Sequence, residues 1–202
     1  IAASNFSEHT VVFGGRLNLH KGLNNIQKQY TPELIGIAST CLSETIGDDV
    51  RMFLHEYTAE HAGDDMPTLV QVSTPSYKGT HIDGFYAAIR AIVEAVTEQQ
   101  GISGEHVNLL PGMVSPADLR HLKEIFEDFQ TPCVMVPDYS DTLDGPLWQE
   151  YQKVPRGGTA VSAIKTMGDA RGSIEFGSVL TDEQSAGAWL AGHYHVPHYQ
   201  LR

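Results

Sequence analysis

Residues 33–49 read Glu-Leu-Ile-Gly-Ile-Ala-Ser-Thr-Cys-Leu-Ser-Glu-Thr-Ile-Gly-Asp-Asp, a strand that ends in a cysteine-bearing turn and continues into a helix. The segment Leu34–Ala38 has no polar side chain, which is typical of a strand covered on both faces of a parallel sheet. Beyond the turn, apolar residues recur at helical spacing: Ile46, Val50, Phe53, Leu54 and Tyr57. Cys41 therefore lies at a strand-to-helix crossing, where open α/β sheets bind ligands and where a helix dipole favours a thiolate. The acids that follow it, Glu44, Asp48 and Asp49, are expected to oppose this thiolate unless a metal is bound.

Strands and helices alternate along the rest of the chain. The predicted strands outside the opening stretch are Val11–Phe13, Leu69–Val72, Val107–Leu110, Cys133–Val136, Ser173–Phe176 and Tyr199–Leu201. This alternation is typical of right-handed βαβ units, which build parallel sheets. We predict an α/β fold with two Rossmann-like layers, each a mainly parallel sheet flanked by helices. Gly101 and Gly104 mark the predicted boundary between a domain at 1–103, which carries Cys41, and a second domain at 104–202.

Composition limits the classes of partner. The chain has 13 basic and 25 acidic residues and a formal net charge of −12, which argues against nucleic acid and anionic membranes. It has no apolar run long enough to span a membrane and no signal-peptide pattern at its start, which favours a cytoplasmic protein. Because it lacks an initiator methionine, we interpret it as an internal piece of a longer protein. Cys133 lies inside an apolar run and is interpreted as a buried, inert thiol.

Several other motifs are interpreted as structural. Gly14-Gly15 lacks the G-x-G-x-x-G spacing, and no P-loop is present, so the chain is not expected to bind a nucleotide. Ser76, His81 and Asp83 are too close in sequence for a hydrolase triad. The histidines at 193–198 lie at a helix end without acidic or cysteine neighbours in sequence, which favours surface or capping roles.

The Cys41 segment resembles the nitrogenase component 1 family, and in particular its β-type subunits. Further resemblances follow in family order: 11–15, Ser-Thr-Pro-Ser-Tyr-Lys-Gly-Thr-His at 73–81, Asn-Leu-Leu-Pro-Gly-Met at 108–113, Pro-Asp-Tyr-Ser-Asp-Thr-Leu-Asp-Gly at 137–145, and Gly-Gly-Thr at 157–159. The resemblance implies that Cys41 matches the third of three cysteines through which a β-type subunit binds an iron–sulfur cluster shared with an α-type partner. It also implies that Ser76 matches a serine that approaches an oxidised cluster iron. The structural alternative for Ser76 is a turn that caps the next helix.

The resemblance implies a subunit of an oxidoreductase, with Cys41 as metal ligand, Cys41 and Ser76 as cofactor contacts, and no catalytic residue assigned. The full-length protein would form a heterotetramer with its α-type partner and receive electrons from an ATP-dependent iron–sulfur reductase. The segments at 138–145 and 158–159 favour the scaffold that assembles the iron–molybdenum cofactor for nitrogen fixation. Alternatives are a catalytic nitrogenase β subunit, a related tetrapyrrole reductase, and a non-catalytic α/β binding module. One matching thiolate cannot hold a cluster, so the chain alone is expected to bind none and to be inactive.

Overall fold

The computed structural model describes residues 2–4, 8–63, 65–101, 104–145, 150–154 and 156–201. The chain divides into two compact units, 1–80 and 81–202. Each unit contains a parallel sheet flanked by helices, which confirms the predicted α/β fold class. Within the described ranges, every helix is too short or too polar to cross a membrane.

The first unit is built on two parallel strands. Its elements are α1 (Glu8–Phe13), α2 (Arg16–Tyr30), β1 (Leu34–Ser39), α3 (Cys41–Thr45), α4 (Val50–Glu60) and β2 (Thr68–Ser73). The strands pair in step, from Leu34 opposite Thr68 to Ser39 opposite Ser73, so their carboxyl ends are level. Apolar side chains from α2, β1 and α4 form the core of the unit: Leu23, Ile35, Leu54 and Tyr57.

The prediction of a strand at Val11–Phe13 is wrong, because these residues form the end of helix α1. Gly14 follows with a φ of +84°, a left-handed conformation that glycine adopts without strain and that ends a helix. The backbone N–H of Gly15 then donates a hydrogen bond to the carboxylate of Asp48 at 3.0 Å. This contact, from 33 residues away, fixes the N-cap residue of α2, and the sequence pattern of 11–13 does not indicate it.

The helix predicted after Cys41 is two helices, α3 and α4. Gly47, with a φ of +80°, ends the first, and the Asp49 carboxylate caps the second by accepting from the Met52 N–H at 2.9 Å. The helical spacing of the apolar residues continues through the turn at Gly47, so this spacing alone did not predict that the helix is interrupted there. As a result, Cys41 begins a helix of only five residues.

The second unit contains a four-stranded sheet with strand order β4-β3-β5-β6, all parallel. Its elements are α5 (His81–Val96), β3 (Val107–Leu110), α6 (Pro116–Asp128), β4 (Cys133–Met135), α7 (Val161–Lys165), a 3₁₀ turn (Thr166–Asp169), β5 (Gly172–Phe176), α8 (Ala186–Tyr194) and β6 (His198–Leu201). Asn108 of β3 is fully buried, and its amide donates to the Met167 carbonyl at 2.9 Å and the Ser173 hydroxyl at 3.1 Å. These two bonds tie β3 to residues that lie 59 and 65 positions further along the chain.

Helix α5 packs within the second unit, although the sequence assigned it to the first domain. The Tyr86 hydroxyl donates to the Phe176 carbonyl at 3.1 Å, and the Arg90 guanidinium donates to the carbonyls of Asp182 and Ser185. The division between compact units therefore falls after Thr80. The predicted domains at 1–103 and 104–202 stay a prediction, because contacts within one chain do not define an inherited domain.

Helix α6 holds the loop that follows β4. The Lys123 ammonium lies 2.6 Å from the Asp138 carboxylate and donates to the Ser140 hydroxyl at 2.7 Å. Burial raises the pKa of the Asp138 carboxyl, but hydrogen bonds from Lys123 and Ser140 outweigh burial and keep this pKa below its usual value. Arg120 makes two parallel bonds of 2.9 Å to Asp144. One face of α6 thus fixes the start of the segment after β4, of which residues 146–149 and 155 lie outside the described ranges.

Candidate functional site

The structure brings together the two site residues predicted from the sequence. Cys41 is the first residue of α3, and Ser76 lies in the turn after β2. The Cys41 Sγ is 2.8 Å from the Ser76 Oγ, and the Ser76 backbone N–H donates to the same sulfur at 3.1 Å. Cys41 is half-buried and Ser76 is exposed, so the pair forms part of the surface of the first unit.

Two neighbouring strand ends position this pair. Because β1 and β2 end level at Ser39 and Ser73, the turns that carry Cys41 and Ser76 leave the sheet side by side. The Thr74 hydroxyl donates to the Ser39 carbonyl at 2.9 Å and ties one turn to the other. Pro75 is buried and anchors the second turn beneath the exposed serine.

The Cys41 thiol is chemically distinct from an ordinary cysteine. Its pKa is lowered, first by the hydrogen bond with the Ser76 side chain and then by the Ser76 backbone N–H. The sequence predicted a thiolate favoured by a helix dipole, and the structure adds hydrogen bonds from the neighbouring turn as a cause of the lowered pKa. A thiol with a lowered pKa forms the thiolate more readily, and the thiolate is the nucleophile and metal ligand.

The three acids that follow Cys41 have partners of their own. The sequence predicted that Glu44, Asp48 and Asp49 would oppose a thiolate at Cys41 unless a metal is bound. In the structure, Asp48 accepts from the Gly15 N–H, and Asp49 caps α4. Glu44 accepts hydrogen bonds from the hydroxyls of Ser39 and Ser73, the latter at 2.6 Å. Sequence reasoning missed this role of Glu44, although a serine at the end of each predicted strand was a usable signal.

The second cysteine has the opposite character. Cys133 begins β4 in the second unit and is half-buried. Burial, followed by the negative charge of Asp138, raises the pKa of its thiol to about 12. A thiol with this pKa is almost entirely protonated at neutral pH, which supports the interpretation of Cys133 as inert.

The histidine segment at 193–198 packs against its neighbours. The His193 ring stacks on Trp189 with 4.7 Å between ring centroids, and the His198 Nε2 lies 2.9 Å from the buried Glu175 carboxylate. That carboxylate also accepts from the N–H groups of Ala186 and Gly187 at the start of α8. In the part of the chain that the structure describes, no three histidine, cysteine, aspartate or glutamate side chains are grouped as a metal site.

Comparison with known proteins gives a consistent result. The family model for nitrogenase component 1 type oxidoreductases matches residues 1–202. The chain is 36% identical over 181 residues to the nitrogenase molybdenum-iron protein beta chain of Clostridium pasteurianum, covering 90% of this chain and 40% of that protein. It is 32% identical over 199 residues to the iron-molybdenum cofactor biosynthesis protein NifN of Nostoc sp., covering 98% of this chain and 44% of that protein.

The fold agrees with these sequence matches. The solved structure "Nitrogenase Cp1 at pH 6.5" superimposes with a TM-score of 0.90 at 36% identity, covering 98% of this chain and 43% of that one. The chain spans less than half the length of each of these relatives. The resemblance drawn from the segments around Cys41 and Ser76 is confirmed, and the chain belongs to the nitrogenase component 1 type oxidoreductase family.

Proposed function

We propose that this chain is part of a β-type component 1 subunit and that Cys41 and Ser76 contact an iron–sulfur cluster shared with an α-type subunit. The observation that carries the proposal is the exposed pair itself, with 2.8 Å between the Cys41 Sγ and the Ser76 Oγ. The donor set fits such a group, because a thiolate is the usual protein ligand of cluster iron. The hydroxyl oxygen of Ser76 is a second donor atom beside the sulfur. When bound, the cluster would supply one-electron redox chemistry.

This chain's own part is to present the ligands. Ser76 stabilises the Cys41 thiolate before any iron arrives, because both its hydroxyl and its N–H donate to the sulfur. Cys41 is half-buried, so part of this residue is accessible to a partner chain. The remaining cluster ligands would come from the α-type subunit and from other parts of the full-length subunit.

Within the family we propose the cofactor-assembly scaffold as the role of the whole protein, with electrons supplied by an ATP-dependent iron–sulfur reductase. The segments at 138–145 and 158–159 support this choice. The second candidate is the catalytic β subunit of nitrogenase, which several relatives named molybdenum-iron protein beta chains favour. The identities do not separate the two roles, because a NifN protein of Bradyrhizobium diazoefficiens is also 36% identical.

The ligand proposal is tested by iron content. The full-length subunit, co-expressed with its α-type partner and purified without oxygen, is compared with its Cys41→Ala and Cys133→Ala variants. We expect Cys41→Ala to lose most of the cluster iron and its paramagnetic resonance signal, and Cys133→Ala to retain both. Normal iron in the Cys41→Ala complex would contradict the assignment.

The choice between roles is tested by complementation. The full-length gene is expressed in one nitrogen-fixing strain that lacks its scaffold N subunit and in another that lacks its nitrogenase β chain. Growth on dinitrogen in the first strain alone supports the scaffold role. Growth in the second alone supports the catalytic role.

A further inference from the structure

The spacing between Cys41 and Ser76 depends on where two strands end. Cys41 follows the end of β1 by two residues, and Ser76 follows the end of β2 by three. Any slip or separation of Ser39 from Ser73 would move the sulfur and the hydroxyl apart. The two strand ends therefore need to be held together for the pair to keep its 2.8 Å distance.

The Glu44 carboxylate joins these strand ends. One oxygen, Oε1, accepts from both the Ser39 hydroxyl and the Ser73 hydroxyl, the second at 2.6 Å. Ser39 is buried at 5% exposure, so its hydroxyl depends on a protein partner for its hydrogen bonds. Because Glu44 belongs to α3, the same contact fixes the helix that carries Cys41 to both strands.

Glu44 is held as a charged group. Hydrogen bonds from Ser39 and Ser73, followed by the positive charge of Lys78, lower the pKa of its carboxyl. Lys78 lies two residues after Ser76, so a positive charge of the serine turn faces the Glu44 carboxylate. Hydrogen bonds to an ionised acceptor are stronger than those between neutral groups, such as the bond from Thr74 to the Ser39 carbonyl.

We propose that Glu44 is a positioning residue, whose carboxylate holds the ends of β1 and β2 together and so keeps Cys41 and Ser76 in contact. The proposal rests on the proposed function of that pair as cluster contacts. It differs from a general role in stability, because its effect is on the distance between two named side chains.

The test measures proximity by disulfide formation in the full chain, kept free of iron. Ser76→Cys is introduced together with Cys133→Ala, so that Cys41 and the new thiol are the two thiols present. Glutathione disulfide oxidises the pair to a protein disulfide and is itself reduced to two glutathione thiols. The equilibrium gives the effective concentration of one thiol at the other, which falls when their separation becomes variable.

We expect Glu44→Ala to lower this effective concentration at least about tenfold, since two charge-assisted hydrogen bonds are lost. Glu44→Gln keeps an acceptor oxygen at the same place and is expected to restore most of the loss, to within about threefold of the parent. Glu56→Ala serves as the matched control, because it removes a glutamate of the same unit that pairs at the surface with Arg16. Its effective concentration is expected to match the parent.

Two outcomes overturn the proposal. An effective concentration within about twofold of the parent in Glu44→Ala would show that Glu44 does not set the spacing. If Glu44→Ala fails to fold, Ser73→Ala removes the exposed half of the contact without changing α3, and a value unchanged from the parent would overturn the proposal equally. The assay contains no iron, so its failure is distinguishable from loss of the cluster assignment, which the iron content of the Cys41→Ala complex decides.

Discussion

The two cysteines show how strongly neighbours decide the chemistry of one residue type. Ser76 donates to the Cys41 sulfur from its side chain and its backbone, which lowers the pKa of that thiol. Cys133 loses water on burial and lies near the negative charge of Asp138, which raises the pKa of its thiol to about 12. In each case the shift in pKa is set by the immediate surroundings of the thiol within its own unit.

This contrast predicts selective alkylation. At pH 8 a thiol with a pKa of about 12 is ionised to roughly one part in ten thousand, so we expect iodoacetamide to modify Cys41 more than about 100-fold faster than Cys133. Peptide mass spectrometry over a time course measures both rates, and the chain unfolded in urea is the control in which they converge. Faster modification of Cys133 in the folded chain would contradict the assignment.

The position of Cys41 also predicts a small contribution to stability. Its side chain is half-buried at the surface of the first unit, so we expect Cys41→Ala to change the free energy of unfolding by less than about 0.5 kcal/mol. Leu54→Ala in the core of the same unit is the positive control and is expected to cost about 2–5 kcal/mol. Urea denaturation measures both. A loss above about 1 kcal/mol for Cys41→Ala would identify Cys41 as a packing residue.

At the scale of elements, the sequence predicted most strands but fewer of the breaks between helices. The apolar run Leu34–Ala38 is a strand as predicted, but the expectation that both of its faces are covered is wrong, because Ile35 is buried whereas Gly36 and Ala38 are exposed. The end of α1 and the separation of α3 from α4 depend on glycines with positive φ and on side-chain caps. Contacts between distant parts of the chain determine those features, so the spacing of apolar residues along the sequence does not predict them.

The candidate site could also be predicted only in part from the sequence. Cys41 and Ser76 stand in recognisable segments, but their contact depends on the register of β1 with β2. Glu44 was interpreted as a repulsive charge because only its distance along the sequence was known. Its partners are hydroxyls at two strand ends, and one of them lies 29 residues away.

The contact between α6 and the loop after β4 predicts a pH effect. Lys123→Met leaves the largely buried Asp138 carboxylate without its cation, so we expect a loss of about 1–3 kcal/mol at pH 7. In the parent, the lowered pKa of Asp138 adds stability that is present above about pH 4 and is lost as pH falls through the folded value. In the variant that pKa rises towards or above its unfolded value, so this loss in acid shrinks and the stability difference between parent and variant narrows below about pH 4.

The control for this experiment is Glu124→Gln, which removes an exposed pair with His121 on the same helix and should change stability by less than about 0.5 kcal/mol. Urea denaturation between pH 3 and pH 8 measures all three proteins. If the free energy of unfolding changed identically with pH below about pH 5 in the parent and in Lys123→Met, the contribution of the Lys123–Asp138 ion pair would be contradicted.

At the scale of the whole chain, the number of thiols limits what it can bind alone. The chain has two cysteines, and iron–sulfur clusters are usually held by about four thiolates. We expect the chain to keep no stoichiometric cluster after anaerobic reconstitution with iron and sulfide followed by desalting. Iron and sulfide analysis measures this, with a small ferredoxin reconstituted in parallel as control. Four irons retained per chain would contradict the expectation.

The strand order of the second unit also determines the order in which its strands can pair during synthesis on the ribosome. Strand β3 can pair with β4 once Met135 has emerged, but its other edge waits for β5, which ends at Phe176. At 5–20 residues per second, the roughly 40 intervening residues take about 2 to 8 seconds to make. Until β5 has emerged, the nascent chain carries an incomplete apolar sheet and an Asn108 amide that lacks its Ser173 acceptor. During this period a chaperone would have the largest exposed apolar surface of the unit to cover.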